Sequence, residues 1–274
     1  MPNLLFAAYK PTGLSSNTFL GRLKKQYKLK KMGYSGTLDP FAKGLLVIAS
    51  ERYTSLFRFL SKAPKSYKAT LWLGVSSPTL DIEQASSPRL IPPLDENVIR
   101  DVLASMIGQQ DQIPPSYCAK KIDGVRAYDL ARQGENVTLK SVPITIYDLS
   151  FCHYRHPFLT FEATVSEGTY IRKIGEDIAH ALGTNGALSA LERTQEGLFR
   201  HADETPLDPC DFIDLPRNSY LGDIQDLIKG KKLSVTSFAD QTEGLSMVQY
   251  DNCFSIIEIE QSNVHYLINT MPRP

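Results

Sequence analysis

One carboxylate stands apart in this chain. Asp39 lies in Gly33-Tyr34-Ser35-Gly36-Thr37-Leu38-Asp39-Pro40-Phe41-Ala42-Lys43-Gly44, a stretch with three glycines and a proline in twelve residues. Glycine admits positive φ and close approach of a ligand, and Pro40 fixes the backbone directly after the acid. A stiff loop presenting a single acid amid basic sequence can mount a catalytic carboxylate, serving as nucleophile or as base. The same residue types also build a structural turn in which the aspartate bonds its own backbone. From this loop alone, the turn is the stronger reading.

The surrounding charge bears on what such an acid would meet. Thirty Lys/Arg balance thirty Asp/Glu over 274 residues, so the formal net charge is zero. Their distribution is uneven: residues 1–73 carry thirteen Lys/Arg against two Asp/Glu, and residues 201–274 carry five against twelve. An RNA-binding face joined to an acidic remainder has this pattern. Its densest part is Arg22, Lys24, Lys25, Lys28, Lys30 and Lys31, which a solvated helix face explains equally well.

Four cysteines (118, 152, 210 and 253) form no C-x-x-C pair and read as structural thiols. His153 and His156 stand three apart, and the Cys and acidic groups near them complete no ligand set, so no metal is expected. No apolar window reaches the eighteen residues of a membrane span, and the start lacks a secretory pattern. The expectation is a cytoplasmic, soluble protein.

The elements that must position Asp39 can be read from periodicity. LLFAAYK is a strand stopped by Pro11 and Gly13, and Ser15 or Ser16 caps a helix through FLGRLKKQY. A strand LLVIAS follows the glycine-rich loop, residues 52–61 have the spacing of an amphipathic helix, and SYKATLWLG alternates as a strand. DENVIRDVLASMIG is a helix capped by Asp95, and QIPPSYCAKKIDGVR reads as an ordered loop before the short helix AYDLARQG. Strands are expected at 137–140, 143–151 and 158–165, then a helix YIRKIGEDIAHALG. ETPLDPCDFIDLPRN reads as a linker, and LSVTSF, LSMVQY, FSIIEIE and VHYLIN as strands of a small β-rich domain. Strands and helices without strict βαβ alternation predict an α+β fold around a mainly antiparallel sheet.

Five collinear stretches across residues 9–199 resemble the TruB family, the bacterial tRNA pseudouridine-55 synthases. YKPTGLSSN is similar to that family's K-P-x-G-x-[ST]-S segment, and GYSGTLDPFAKGLL to its G-H-x-G-x-L-D-P-x-A-x-G-x-L signature. KSYKATLWLGVSSPTLD, QIPPSYCAKKIDGVRAYDLARQG and SEGTYIRKIGEDIAHALGTNGALSALERT resemble its later motifs in order.

The resemblance implies a pseudouridine synthase fold over residues 1–210, with an RNA-clamping insertion at 109–134. It also implies a reduced PUA-like domain at 211–274, where IKGKKL is similar to that module's opening. The activity it implies is isomerisation of a T-loop uridine of tRNA to pseudouridine, by a monomer, without cofactor or protein partner. Asp39 would be the catalytic residue, Arg172 its active-site arginine, and Tyr67 the tyrosine that packs on the base with a proposed part in proton removal. Tyr170 and Leu191 would complete the pocket, with Lys10, Asp81, Tyr117, Lys120 and Arg132 as further substrate contacts. Asp81 is also readable as a surface loop acid.

Two departures follow from the register. Tyr34 stands where the family places a histidine that helps replace the flipped base; a ring can still stack there. The usual Leu-Arg-Arg is Leu191-Glu192-Arg193, one positive charge fewer. A tRNA-binding folding helper, with catalysis dispensable, is the alternative from another class.

Overall fold

The computed structural model describes residues 2–118, 120–122, 124–135 and 139–274, and of residues 121, 122, 126, 131 and 132 the backbone alone. Strand β1 (Leu5–Lys10) is apolar over Leu5–Ala8, where both its faces are covered. Ser15 caps α1 (Ser16–Gln26) by accepting the Thr18 amide, and Phe19, Leu20 and Leu23 form its buried face. The stretch read as a glycine-rich loop begins as a strand, β2 (Met32–Ser35), before the loop proper and β3 (Lys43–Ser50). Residues Glu51–Arg58 wind as a tight 3-10 helix rather than an α-helix, burying Tyr53 and Leu56.

Next come β4 (Lys65–Leu73), α2 (Glu96–Ser105, capped by Asp95) and β5 (Gly108–Gln112). β5 lies almost wholly in a stretch to which the sequence assigned no element; its polar run gave no strand signal. A small hairpin, β6 (Lys121–Ile122) and β7 (Val125–Arg126), precedes α3 (Ala127–Arg132). Of the strand expected at 137–140, residues 137 and 138 lie outside the described residues, and residues 139 and 140 are not in a strand. β8 (Val142–Arg155), β9 (Phe158–Val165), α4 (Ile171–Ala181) and β10 (Gly186–Glu196) follow.

Among the described residues these strands make an eight-stranded sheet in the order β1-β3-β10-β4-β9-β8-β5, with β2 added beside β3. Its pairings are antiparallel except β3 with β10. One core packs α2 and α4 on the sheet through Leu71, Leu103, Phe161, Ile174, Ile178 and Leu188. Each such side chain contributes roughly 1.5–3 kcal/mol on burial. Another core packs α1 on β1 and β3 through Phe6, Phe19, Leu23 and Ile48.

The remaining chain forms β11 (Arg217–Asn218), α5 (Ile224–Ile228), β12 (Gly244–Tyr250), β13 (Cys253–Glu260) and β14 (Asn263–Pro272), a second sheet in that strand order. The LSVTSF stretch is a 3-10 turn (Val235–Ser237) rather than a strand. A shared core of Leu5, Val47, Tyr53, Met247, Phe254 and Met271 joins the two sheets. The Tyr53 hydroxyl donates to the Pro272 carbonyl at 2.7 Å. The fold is therefore α+β, with a mainly antiparallel sheet and a second, C-terminal β-sheet.

Candidate active site

The site arises where β3 changes partners. Its far end, Val47–Ser50, pairs with β2, while Lys43 and Gly44 pair with Glu192 and Arg193 of β10. The loop between β2 and β3 therefore folds into the notch between β2 and β10. Gly44 has φ +110°, and a Cβ there would come 2.3 Å from the Arg193 carbonyl oxygen. Gly36 has φ +62°, and a Cβ there would crowd Lys65 Nζ at 2.8 Å and Arg193 Nη1 at 3.0 Å. Both positions require glycine, for conformation and for space.

The loop is held on each side of Asp39. Leu38 N–H donates to Ser16 Oγ at 2.9 Å, and that hydroxyl donates to the Leu38 carbonyl at 3.0 Å. Gly13 N–H donates to the Pro40 carbonyl at 2.8 Å, and Arg193 Nη2 donates to the Gly36 carbonyl at 3.0 Å. Main chain closes the turn itself, with Ala42 N–H on the Asp39 carbonyl at 3.1 Å. The Asp39 side chain is thereby left for another partner. Arg172 Nε lies 2.9 Å from its Oδ2.

Arg172 is the centre of the constellation. It is only 5% exposed, at the second position of α4. Its Nη1 donates to the Thr79 carbonyl at 2.6 Å and lies 3.5 Å from Asp81 Oδ2, while Nη2 donates to the Tyr117 carbonyl at 2.8 Å. A guanidinium so committed is fixed in plane and direction, and it presents one N–H to Asp39. Burial in the cavity floor raises the Asp39 pKa, Arg172 opposes that rise, Asp81 adds to it and Lys10 opposes it. The carboxylate still keeps 36% of its side-chain surface exposed, through the cavity mouth. It is an acid in a low-dielectric setting, held toward its charged form by an aligned cation and open on one side to a ligand.

That opening is a cavity of about 290 Å³ lined by Leu38, Asp39, Tyr67, Tyr170, Arg172 and Leu191, with Lys65, Cys118 and Arg193 also in its wall. Tyr67 on β4 and Arg193 on β10 are directly paired across the sheet. Burial raises the Tyr67 pKa, with Arg193 opposing, so the phenol is neutral at neutral pH. Burial also raises the Tyr170 pKa, with Cys118 beside it adding to the effect. Aromatic and aliphatic walls over an anionic floor suit a planar, polar-edged base.

The sequence reading missed part of this wall. Arg193, Glu196 and Lys65 form a buried ion cluster: Arg193 Nη2 is 3.1 Å and Lys65 Nζ 3.4 Å from the Glu196 carboxylate, which also accepts from Ser35 Oγ at 2.6 Å. Burial lowers the Lys65 pKa, and Glu196 opposes the fall. Cys118, read as a structural thiol, lines the cavity. Gln112, unremarked within its motif, bonds the backbone of Tyr170. Residues three apart on a regular strand face opposite ways, so Arg193 and Glu196 meet only because a bulge between Arg193 and Gln195 turns both inward.

Several expected contacts lie elsewhere. Lys10, expected at the substrate, is turned inward: it is fully buried, and its ammonium donates to the carbonyls of Pro11, Leu14 and Ala42 at 3.0, 2.7 and 2.6 Å. Its three N–H groups tie the segment after β1, at Pro11 and Leu14, to the loop that carries Asp39, at Ala42. Burial lowers its pKa to about 8, with Asp39 opposing. Asp81 is not a surface acid: it is 3% exposed, its Oδ1 taken by Thr79 Oγ1 at 2.6 Å and the Glu83 amide at 2.9 Å.

Tyr34 stands outside the Asp39 cavity, with its hydroxyl donating to Asn17 Oδ1 at 3.1 Å and its ring against the α1 core. Tyr117 and Lys120 are half-buried; the Tyr117 carbonyl reaches Arg172 and the Lys120 carbonyl accepts from the Ala127 amide at 2.7 Å. The side chain of Arg132 lies outside the described residues. Glu192 accepts from the Tyr9 hydroxyl at 2.9 Å and pairs with Lys43 at 3.2 Å.

A carboxylate on a braced loop and an aligned buried arginine thus stand beside a cavity of aromatic and aliphatic walls with room for a planar base. The chain belongs to the TruB family: the family model described as TruB family pseudouridylate synthase (N terminal domain) matches residues 24–171. It is accordingly an isomerase of the pseudouridine synthase class. A tRNA pseudouridine synthase B from a Nitratiruptor species is 50% identical over 271 residues, covering 99% of this chain and 98% of that protein. Proteins of the same name from a Sulfurovum species and from Campylobacter curvus are 48% and 44% identical over 271 residues, each covering 99% of this chain and 98% or more of the relative. A chain of the crystal structure of a Cbf5-Nop10-Gar1 complex shares the fold, with a TM-score of 0.67 at 21% identity over 99% of this chain and 84% of that one.

Proposed function

We propose that this chain converts the T-loop uridine at position 55 of tRNA to pseudouridine, with Asp39 as its essential carboxylate. The observation that carries the reading is the Asp39 carboxylate in the floor of an aromatic cavity, 2.9 Å from a buried arginine. The reaction breaks the N1–C1′ bond, turns the uracil and joins C5 to C1′; the proton leaving C5 balances the one gained at N1. Nothing is oxidised or donated, so no cofactor enters the balance. Both roles open to Asp39, nucleophile or base at the ribose, require the ionised form that Arg172 favours. Tyr67, Tyr170 and Leu191 hold the extruded base, while Asp81 and the Thr79 and Tyr117 carbonyls keep Arg172 aimed.

A stacked uridine reaches such a cavity only by leaving the helix stack. Tyr34 stacks in the gap, and the 109–134 insertion clamps the T-arm, with Tyr117, Lys120 and Arg132 as its contacts. The exposed Arg22, Lys25, Lys28, Lys30 and Lys31 beside α1 supply backbone affinity. Residues 1–210 are the catalytic domain and residues 211–274 a reduced PUA-like module. The enzyme works in the cytoplasm as a monomer. The test is to map pseudouridine in tRNA incubated with the protein and with Asp39→Asn. Product at position 55 with the first, and none with the second despite retained tRNA affinity, is expected. Wild-type turnover by Asp39→Asn overturns the reading.

A further inference from the structure

We infer that Gln112 is a positioning residue for the reaction: its carboxamide sets the start of α4, and through it the aim of Arg172 at Asp39. Helix α4 is preceded by Tyr170 at its cap position, which has no short side-chain oxygen and makes no side-chain cap bond. Serine, threonine, aspartate or asparagine would normally hold the first amides at this place. Here the start is fixed from outside. Gln112 Oε1 accepts the Tyr170 amide at 2.8 Å, and its Nε2 donates to the Tyr170 carbonyl at 3.2 Å. One buried carboxamide on the edge strand β5 therefore engages both polar groups of a residue 58 positions away.

Such an amide has only one orientation. The backbone N–H demands the oxygen and the backbone C=O demands the nitrogen, so Gln112 grips Tyr170 with direction as well as distance. Arg172 follows two residues later, and its Nη2 meets the Tyr117 carbonyl, five residues beyond Gln112. The segment from β5 to Tyr117 thus touches the arginine's mounting twice, once through the backbone of Tyr170 and once directly. The tolerance is small. A slide of about 1 Å would carry the 2.9 Å contact between Arg172 and Asp39 beyond hydrogen-bond range. It would also shift the Tyr170 ring in the cavity wall.

The inference rests on Asp39 and Arg172 as the reacting centre, and the test separates the two. The full chain and a full-length tRNA transcript are used, with kcat, tRNA Kd and melting temperature measured for Gln112→Ala, Gln112→Met and Gln112→Glu. The first two should lower kcat by roughly 10- to 100-fold with Kd changed by no more than about threefold, the usual cost of a small misplacement. The acid limb of their kcat–pH profile should move to higher pH, because Asp39 is left without an aligned cation. Ionised glutamate keeps the acceptor for Tyr170 N–H and lacks the donor; protonated glutamic acid restores it. The ratio of Gln112→Glu to wild-type kcat should therefore rise as pH falls.

Unchanged kcat in all three variants overturns the inference. So does a loss that merely tracks melting temperature, with the pH profile unmoved and the Glu ratio flat. If Gln112→Ala does not fold, the near-isosteric Met and Glu variants carry the same comparison. An inactive Asp39→Asn beside fully active Gln112 variants refutes this inference alone, whereas an active Asp39→Asn removes the reading beneath it.

Discussion

Replacing Arg172 by lysine keeps the charge and removes the geometry, so it isolates what the fork does. In the wild type three nitrogens work at once: Nε on Asp39 at 2.9 Å, Nη1 on the Thr79 carbonyl at 2.6 Å and Nη2 on the Tyr117 carbonyl at 2.8 Å. A lysine has one nitrogen at the end of its chain and cannot occupy three such positions. If it stays near Asp39, the two carbonyls are left without a donor in a site where the arginine is 5% exposed; if it moves to them, Asp39 is left without its partner. A charge-assisted hydrogen bond contributes roughly 1.5–3 kcal/mol, and an orphaned buried acceptor costs roughly 1–3 kcal/mol. Removing the Asp39 interaction alone should then slow the chemical step by about 10- to 100-fold, at about 1.4 kcal/mol per decade.

The assay is single-turnover release of the C5 label from tRNA carrying tritiated uridine, beside filter binding of the same tRNA. Binding should stay within about threefold, because Arg172 lies beneath the cavity rather than on the phosphate path. Burial already raises the Asp39 pKa and Arg172 restrains it, so the variant's acid limb should shift to higher pH. An Arg172→Lys enzyme with wild-type rate and an unmoved acid limb would refute the claim that alignment, rather than charge, is what Arg172 supplies.

Other outcomes follow from the same geometry. Asp39 has a folded-state pKa above its ordinary value, so its ionisation carries a stability cost that is absent below the unfolded pKa, grows between the two values and is complete above the folded one. Asp39→Asn should therefore melt no lower than the wild type at neutral pH while making no pseudouridine; a clearly lower melting temperature would contradict this. Glu196→Gln leaves Lys65 and Arg193 buried without their anion and should cost roughly 3–5 kcal/mol in urea unfolding. Because burial depresses the Lys65 pKa and Glu196 restrains that fall, part of this deficit should disappear as pH rises toward 10.5, where the neutral amine is shared by both states. Replacing Lys25, Lys28 and Lys30 by glutamine should weaken tRNA binding and reduce its log–log salt slope by roughly 0.7–0.9 for each phosphate no longer neutralised; an unchanged slope would take this face off the RNA path.

Much of the site could be read in one dimension because its requirements are local. The Gly36-to-Gly44 loop needs positive φ at its glycines and a proline after the acid, and those needs are written in adjacent residues. Helix caps at Ser15 and Asp95 and the alternation of β4 are equally local, and the structure has them where the sequence put them. Pairing Asp39 with Arg172, 133 positions later, was legible only through family motifs, since no spacing rule reaches that far.

Tertiary structure alone decided which polar groups face inward. Lys10, from its sequence, was as plausible on RNA as any lysine of the basic third; the crossing of β1 with the Asp39 loop buries it against three carbonyls. Asp81 sits in a polar, proline-bearing loop, yet Thr79 and Arg172 draw it under the cavity. Arg193, Glu196 and Lys65 meet because β10 lies between β3 and β4 and bulges beside them. Hydrophobic periodicity reports how much of a strand is covered, whereas strand order and register decide what covers it. A buried charge is stable only beside the partner that strand order brings, so the loop of Asp39 belongs to the sequence and its electrostatic setting to the fold.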